Sequence, residues 1–488
     1  MKVNKILLFL TILFFQMPPV FSQQVPGIII GGQKNDYGYS LCLSPDGRYA
    51  IAGSTRSFAG GSSDFYFLVL DTGGQIVVEK TYGWQHHDNF RGIIPVESGY
   101  CFIGDAWDYG PGGLDIFMLE TDKTGESKKG HFYGTMKRDN GFDILQTEDG
   151  GFLILGHSRL ENPKGDIYLL KIDENGDEQW HKSFWDEGGN DYAFQIIKSG
   201  DDNGYVFVGS KFGFFDDVHG DFQTHDADIL LIKTDLQGNR IWKKTYGKSE
   251  HDFGYGVCNA PDGGYYLIAS SQSYGNGSFD MVLIKTDDGG NEEWIKSFGG
   301  TGYEYGKALA LGDDNGLYLV GTTESFGTDG STDVFVVKTD LDGNEIWDVA
   351  VGGTDNDFGE DIVALPGGGC ALVGSTHSFS AQKSDLYFLR LTKDGIVDIF
   401  NDTKPAETDR CSFYPNPMRN YGVFTIPVTN GSYTVQLFDI NGQKVFENRG
   451  VDKKFMFHNN GLGSGTYIYR IFSDEDNALL LNGKLVIY

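Results

Sequence analysis

The stretch DYGYSLCLSPDGRYAIAGSTRSFAGGSSDFYFLVLDTGGQIVVEKTYG, residues 36–83, returns in kind as YEYGKALALGDDNGLYLVGTTESFGTDGSTDVFVVKTDLDGNEIWDVAVGG, residues 303–353. Both carry an Asp just ahead of an apolar run, and that Asp pins the register of the chain. It recurs as Asp64, Asp115, Asp166, Asp228, Asp280, Asp333 and Asp385, at steps of 51, 51, 62, 52, 53 and 52 residues. Self-similarity at a fixed period of this size marks an array of equivalent supersecondary units. Seven units follow, near residues 31–83, 84–134, 135–188, 189–247, 248–300, 301–353 and 354–402, and only the fourth carries an insertion.

Each unit holds four strand-like runs. The first two are joined by turns such as Pro45-Asp46-Gly47, and the last two by Asp235-Leu236-Gln237-Gly238-Asn239 and its relatives. In both, Asp or Asn bonds its own backbone and Gly supplies a positive φ. Four antiparallel strands in about fifty residues make one propeller blade. No stretch shows sustained helical periodicity, which disfavours a solenoid of βα units. The reading is therefore all-β: a seven-bladed β-propeller over residues 23–402. Residues 25–32 (VPGIIIGG) and residues 396–400 compete as the strand that closes the ring. The units resemble secreted bacterial propeller repeats with a DxxGN hairpin and a Trp soon after, here Trp180, Trp242, Trp294 and Trp347. That resemblance is informative for architecture and poor for function, since propellers host many activities.

The flanks speak of export. Lys2 and Lys5 precede a ten-residue apolar run and Ser22, which reads as a signal peptide over residues 1–22. Residues 403–411 are polar and read as a linker; residues 412–488 form a different, β-rich segment, expected to be a small Ig-like β-sandwich. Its stretches Tyr414-Pro415-Asn416-Pro417, YTVQLFDINGQKV, GLGSGTYIYRI and the terminal Gly483-Lys484-Leu485-Val486-Ile487-Tyr488 are similar to the type A sorting domain of type IX secretion cargo in Bacteroidetes. The resemblance implies that the type IX machinery is a partner. It also implies passage across the outer membrane, then attachment to surface lipopolysaccharide or release.

A net charge of −29 argues against nucleic acid as a ligand, because phosphate binding needs a basic patch. Five scattered cysteines, four of them inside expected strands, read as buried thiols and not as a disulfide framework.

Two acidic sets are expected on one face of the propeller. One is the register set; the other opens each unit, as Asp36, Asp88, Asp139, Asp191, Asp252, Glu304 and Asp357. A carboxylate repeated in every blade is expected to hold loop backbone; Ca2+ coordination is the alternative. The loops between second and third strands add Phe58, Trp107, Tyr109, Tyr274, Phe326 and Phe379, whose faces suit sugar rings. The insertion of the fourth unit adds Phe214, Phe215, His219, Phe222, His225 and Asp226, and its asymmetry makes it the leading contact site. No GxSxG, HExxH or phosphate loop is present. The expected function is an extracellular or cell-surface binding or adhesion module for a glycan or surface protein. A polysaccharide-active enzyme and a structural part of a surface assembly are the alternatives.

Overall fold

The computed structural model describes residues 27–397 apart from 61, 108–109, 160–164, 185–190, 212–226, 328–329 and 381–382. It also describes residues 412–487 apart from 415–420, 426–431, 440–442, 451–453, 459–461, 464 and 475–478. Every regular element within them is a strand. The chain divides into two compact units, at residues 401 and 402.

The first unit is a seven-bladed β-propeller of seven four-stranded antiparallel sheets. Blade 1 shows the pattern: Asp36–Leu43 lies innermost, then Tyr49–Thr55, Asp64–Leu70 and, outermost, Ile76–Tyr82. The second and third strands are buried along their whole length, while the outer strand is largely exposed. Blades stack face to face, so a middle strand is covered on both sides and its sequence runs continuously apolar instead of alternating. The hydrophobic core is accordingly cut into slabs between neighbouring blades. One slab joins Phe65, Phe67 and Phe117 across blades 1 and 2; another joins Tyr49, Ile51, Val373 and Phe388 across blades 1 and 7.

That last slab closes the ring. The outer strand of blade 7 is Ile28–Ile30, which pairs antiparallel with Leu386–Phe388 of the strand Asp385–Leu391. Residue 397, from the competing segment, makes only a single bridge to Leu391. Circular closure covers the blade faces that an open array would expose at its two ends, while each four-stranded blade keeps its own outer edge.

The DxxGN hairpins and the Trp residues that follow them meet across blade boundaries. Gly238, at φ +75°, sits so close under Trp180 of the preceding blade that an added Cβ would lie 2.6 Å from its ring. Trp242, Trp294 and Trp347 cover Gly290, Gly343 and Gly395 in the same way. The hairpin needs Gly for its backbone, and the bare Cα then makes room for the indole.

The second unit pairs Ser412–Tyr414, Tyr421–Thr425 and Lys454–His458 in one sheet, and Lys444–Gly450, Tyr433–Phe438, Gly465–Ser473 and Leu479–Ile487 in another. Val435, Leu437, Phe457, Ile471 and Leu485 form its core. The strand holding Gly483, Lys484, Leu485, Val486 and Ile487 is last in its sheet; Tyr488 lies outside the described residues.

Candidate functional site

The two acidic sets lie side by side along the blade boundaries. The acid that opens a blade donates its N–H to the carbonyl just before the register Asp of the preceding blade: Asp88 to Ser63, Asp139 to Leu114, Asp357 to Thr332, and Asp36 to Ser384 across the seam. The acids that open each blade are buried and accept hydrogen bonds from loops. Asp252 takes the Lys248 N–H and the hydroxyls of Ser271 and Ser273; Glu304 takes the Gly300 N–H at 2.9 Å and the Thr323 hydroxyl at 2.8 Å. Of the register set, Asp64, Asp115 and Asp280 accept N–H groups of Gly60, Gly112 and Gly277, and Asp333 accepts the Ser331 hydroxyl. Asp166, Asp228 and Asp385 stand at the equivalent starts of their third strands. Gly134, at φ +148°, fits between one such pair, where a Cβ would fall 2.6 Å from Asp115 and 2.8 Å from Asp139. Burial pushes Asp88 and Asp385 up to about 6, and the neighbouring carboxylates of Asp64 and Asp36 push the same way. Among the described residues no three or more His, Cys, Asp or Glu side chains converge to hold a metal ion.

The loop aromatics do not converge either. Phe58, Phe326 and Phe379 each rest on an aromatic of their own blade's third strand, Tyr66, Phe335 and Tyr387, with ring centroids 5.4–5.8 Å apart. Tyr274 lies under Lys248, and Trp107 under Arg138. None of these five lines the axial cavity. Tyr109, Phe214, Phe215, His219, Phe222, His225 and Asp226 lie outside the described residues.

A different set of side chains does converge. Every innermost strand carries one β-bulge, between Gly38 and Ser40, Phe90 and Gly92, Gly141 and Asp143, Ala193 and Gln195, Gly254 and Gly256, Gly306 and Ala308, and Gly359 and Asp361. A bulge re-aims the residue it leaves unpaired. Those seven residues, Tyr39, Arg91, Phe142, Phe194, Tyr255, Lys307 and Glu360, all line one cavity of about 260 Å3 on the propeller axis. Here the repeat gives up its symmetry. Blades 3 to 5 supply an aromatic arc, with Phe142 edge-on to Phe194 and Phe194 stacked on Tyr255, each at 5.4 Å. Blades 6, 7, 1 and 2 supply a polar arc of Lys307, Glu360, Tyr39 and Arg91. Its cations flank the aromatics: Lys307 lies 4.8 Å from the Tyr255 ring and Arg91 5.5 Å from the Phe142 ring.

One residue further along, polar side chains stitch the blades together. Asp361 accepts the Leu41 N–H at 2.7 Å, Asp143 the Ile196 N–H at 2.8 Å, and Gln195 the Val257 N–H at 2.7 Å. Burial raises Asp143 to about 7 and Asp361 to about 6, against the pull of these hydrogen bonds. The Asp105 carboxylate stabilises the protonated form of Arg91 and raises its pKa, and Glu360 does so for Lys307. Sequence reasoning looked to the loops and missed this ring. Its signal was the column three residues after each opening acid, which reads Tyr, Arg, Phe, Phe, Tyr, Lys, Glu beside an otherwise regular repeat.

Among known proteins, the regulatory protein FlaEY of Caulobacter vibrioides is 25% identical over 190 residues, which are 34% of this chain and 20% of that protein. The chain therefore spans about a fifth of that relative's length. Among solved structures, puromycin hydrolase is similar at a TM-score of 0.49 and 11% identity, covering 92% of this chain and 60% of that one. Kuenenia stuttgartiensis hydrazine synthase is similar at a TM-score of 0.47 and 13% identity, covering 76% and 99%. The blade assignment rests on strand pairing and not on these likenesses. The tail is more specific: residues 412–487 match the secretion system C-terminal sorting domain, and the protein is cargo carried across the outer membrane by type IX secretion, to the cell surface or the extracellular space.

Proposed function

We propose that the propeller is a non-catalytic binding module that takes a saccharide in its axial cavity outside the cell. The observation that carries this reading is the continuous arc of Phe142, Phe194 and Tyr255 facing charged and hydroxyl groups across one small cavity. A sugar ring offers an apolar C–H face to such an arc and hydroxyl edges to the opposite side, and a concave site with few convergent polar groups is the usual form of a small-molecule site. Contacts beyond the cavity are assigned to the fourth-blade insertion, with Phe214, Phe215, His219, Phe222, His225 and Asp226, and to Trp107, Tyr109, Tyr274, Phe326 and Phe379 at the loops. Adhesion to a glycan-bearing surface is the role that fits such a module.

The test is a glycan array probed with the full chain, followed by calorimetry of the hits. Phe194→Ala is expected to weaken binding about 5- to 10-fold, the loss of one stacking face at roughly 1–1.5 kcal/mol. Absence of any glycan bound in a Phe194-dependent way would overturn the proposal.

A further inference from the structure

The strongest departure from the repeat is a pair of residues in blade 2 that change together. At the bulge position Arg91 stands where other blades carry Tyr39, Phe142, Phe194 or Tyr255. On the facing second strand Asp105 stands where blades 1, 4, 5 and 7 carry Ser54, Ser210, Ser270 and Ser375. The two touch: Arg91 Nε donates to Asp105 Oδ2 at 2.9 Å. Asp105 is itself fixed, because its Oδ1 accepts the Gly141 N–H at 3.1 Å and its side chain is only 3% exposed. Blade 2 thus holds a buried carboxylate that ties the backbone of blade 3 with one oxygen and sets the plane of a guanidinium with the other.

Only Nε of that guanidinium is used. Its two terminal nitrogens make no hydrogen bond to the described protein, and the side chain keeps 39% of its exposure on the cavity. A fixed guanidinium with a free pair of N–H groups matches a carboxylate, which it binds with two parallel hydrogen bonds. Its position beside Phe142 places that fork at one end of the aromatic arc. At the far end Lys307 is held to Glu360 at the long distance of 3.8 Å. On a chain of net charge −29, an anion is repelled by most of the surface. A cation orientated toward the axis is therefore a selective device and not part of a general basic field.

We infer that Arg91 anchors a carboxylate of the ligand, so that the saccharide taken by the axial cavity is a hexuronate. The inference rests on the saccharide reading above and narrows it. The ring lies against Phe142 and Phe194, its carboxylate meets the two free N–H groups of Arg91, and Asp105 acts as the positioning residue behind them.

The experiment is calorimetry of the full chain with short oligogalacturonates, oligoglucuronates and oligomannuronates, each paired with its methyl ester, which keeps the ring and removes the charge. The acid of at least one pair is expected to bind about 10- to 100-fold more tightly than its ester, the range of one charge-assisted pair, with the preference falling as salt rises. Arg91→Lys keeps the charge and loses the fork, and is expected to lose most of that preference. In a chain carrying both Arg91→Gln and Asp105→Ser, which leaves no buried charge alone and restores the serine of the other blades, acid and ester are expected to bind alike. Equal binding of acid and ester to the unaltered chain overturns the inference. So does binding of neutral glycans alone, which leaves the saccharide reading standing. If no saccharide of any kind binds, both fall together.

Discussion

Replacing Asp361 by Asn exchanges a carboxylate for an amide where the last blade is tied to the first. Asp361 accepts the Leu41 N–H at 2.7 Å and its neighbour's, Ile362, at 2.8 Å. Its carboxyl is nevertheless raised to about 6, with burial as the leading cause, against about 3.9 in an unfolded chain. Between those two values the folded protein holds a proton that the unfolded chain has released. The stabilisation is complete below about pH 4 and is lost as pH rises through about 6. Over the whole range that difference corresponds to nearly 3 kcal/mol; the carboxyl borders the cavity and is only partly buried, so roughly 1–3 kcal/mol is expected.

Asn does not titrate. It carries a fixed cost from an amide group turned toward a backbone N–H, but that cost does not vary with pH. Relative to the unaltered chain, Asp361→Asn should therefore gain about 1–2 kcal/mol between pH 4.5 and 7.5. Asp88 and Asp385 titrate in both proteins and cancel in the comparison. Asp143 feels the Asp361 charge, and losing it moves the difference the same way. Urea unfolding at 25 °C, followed by tryptophan fluorescence at four pH values, measures the swing. Parallel stability curves, or a variant that loses ground as pH rises, would refute the reasoning.

Ile30→Ala in the closing strand, where the side chain is 7% exposed, should cost about 2–4 kcal/mol in the same assay. Ile396→Ala, at 53% exposed, should stay within about 0.5 kcal/mol. Gly134→Ala should cost about 2–4 kcal/mol, because its Cβ meets two carboxylates at a positive φ; Gly60→Ala, with open space around it, serves as the neutral control. Burial lifts the Cys258 thiol to about 12 and holds Cys42, Cys101 and Cys370 well above the usual range. Iodoacetamide at pH 8 should label these four only in urea, as read by mass spectrometry. A chain ending at residue 411 should keep the urea midpoint of the propeller, since the two units are compact separately, while cell fractionation should find it retained inside the outer membrane.

The register acids were legible because they recur at one position of the repeat; Asp64, Asp115 and Asp280 hold their own loops, and a side chain with such a local task leaves a near-periodic trace. The pairing of Gly238 with Trp180 was half legible. Each residue stood out, but the contact joins different repeats, so spacing within one unit does not reveal it. The loop aromatics drew the eye away from the axis for a related reason. Phe58, Phe326 and Phe379 share one position after a Ser, and shared position is the mark of common packing. The axial ring escaped because a bulge is invisible in a string of letters: Tyr39 reads as one more residue in an alternating strand until pairing jumps from Gly38 to Ser40.

Closure by Ile28–Ile30 has a consequence for how the molecule is made. Ile29 faces Tyr387, so the contact that completes the ring joins the two ends of the propeller. Bringing such distant points together costs on the order of 5 kcal/mol of chain entropy, which only a nearly complete set of stacked blades can offset. A chain interrupted before the third strand of the last blade has no partner for its first strand and keeps an open sheet face at each end. Completeness of synthesis is thereby converted into solubility: the finished ring covers both faces of every blade, and a broken one leaves two of them bare.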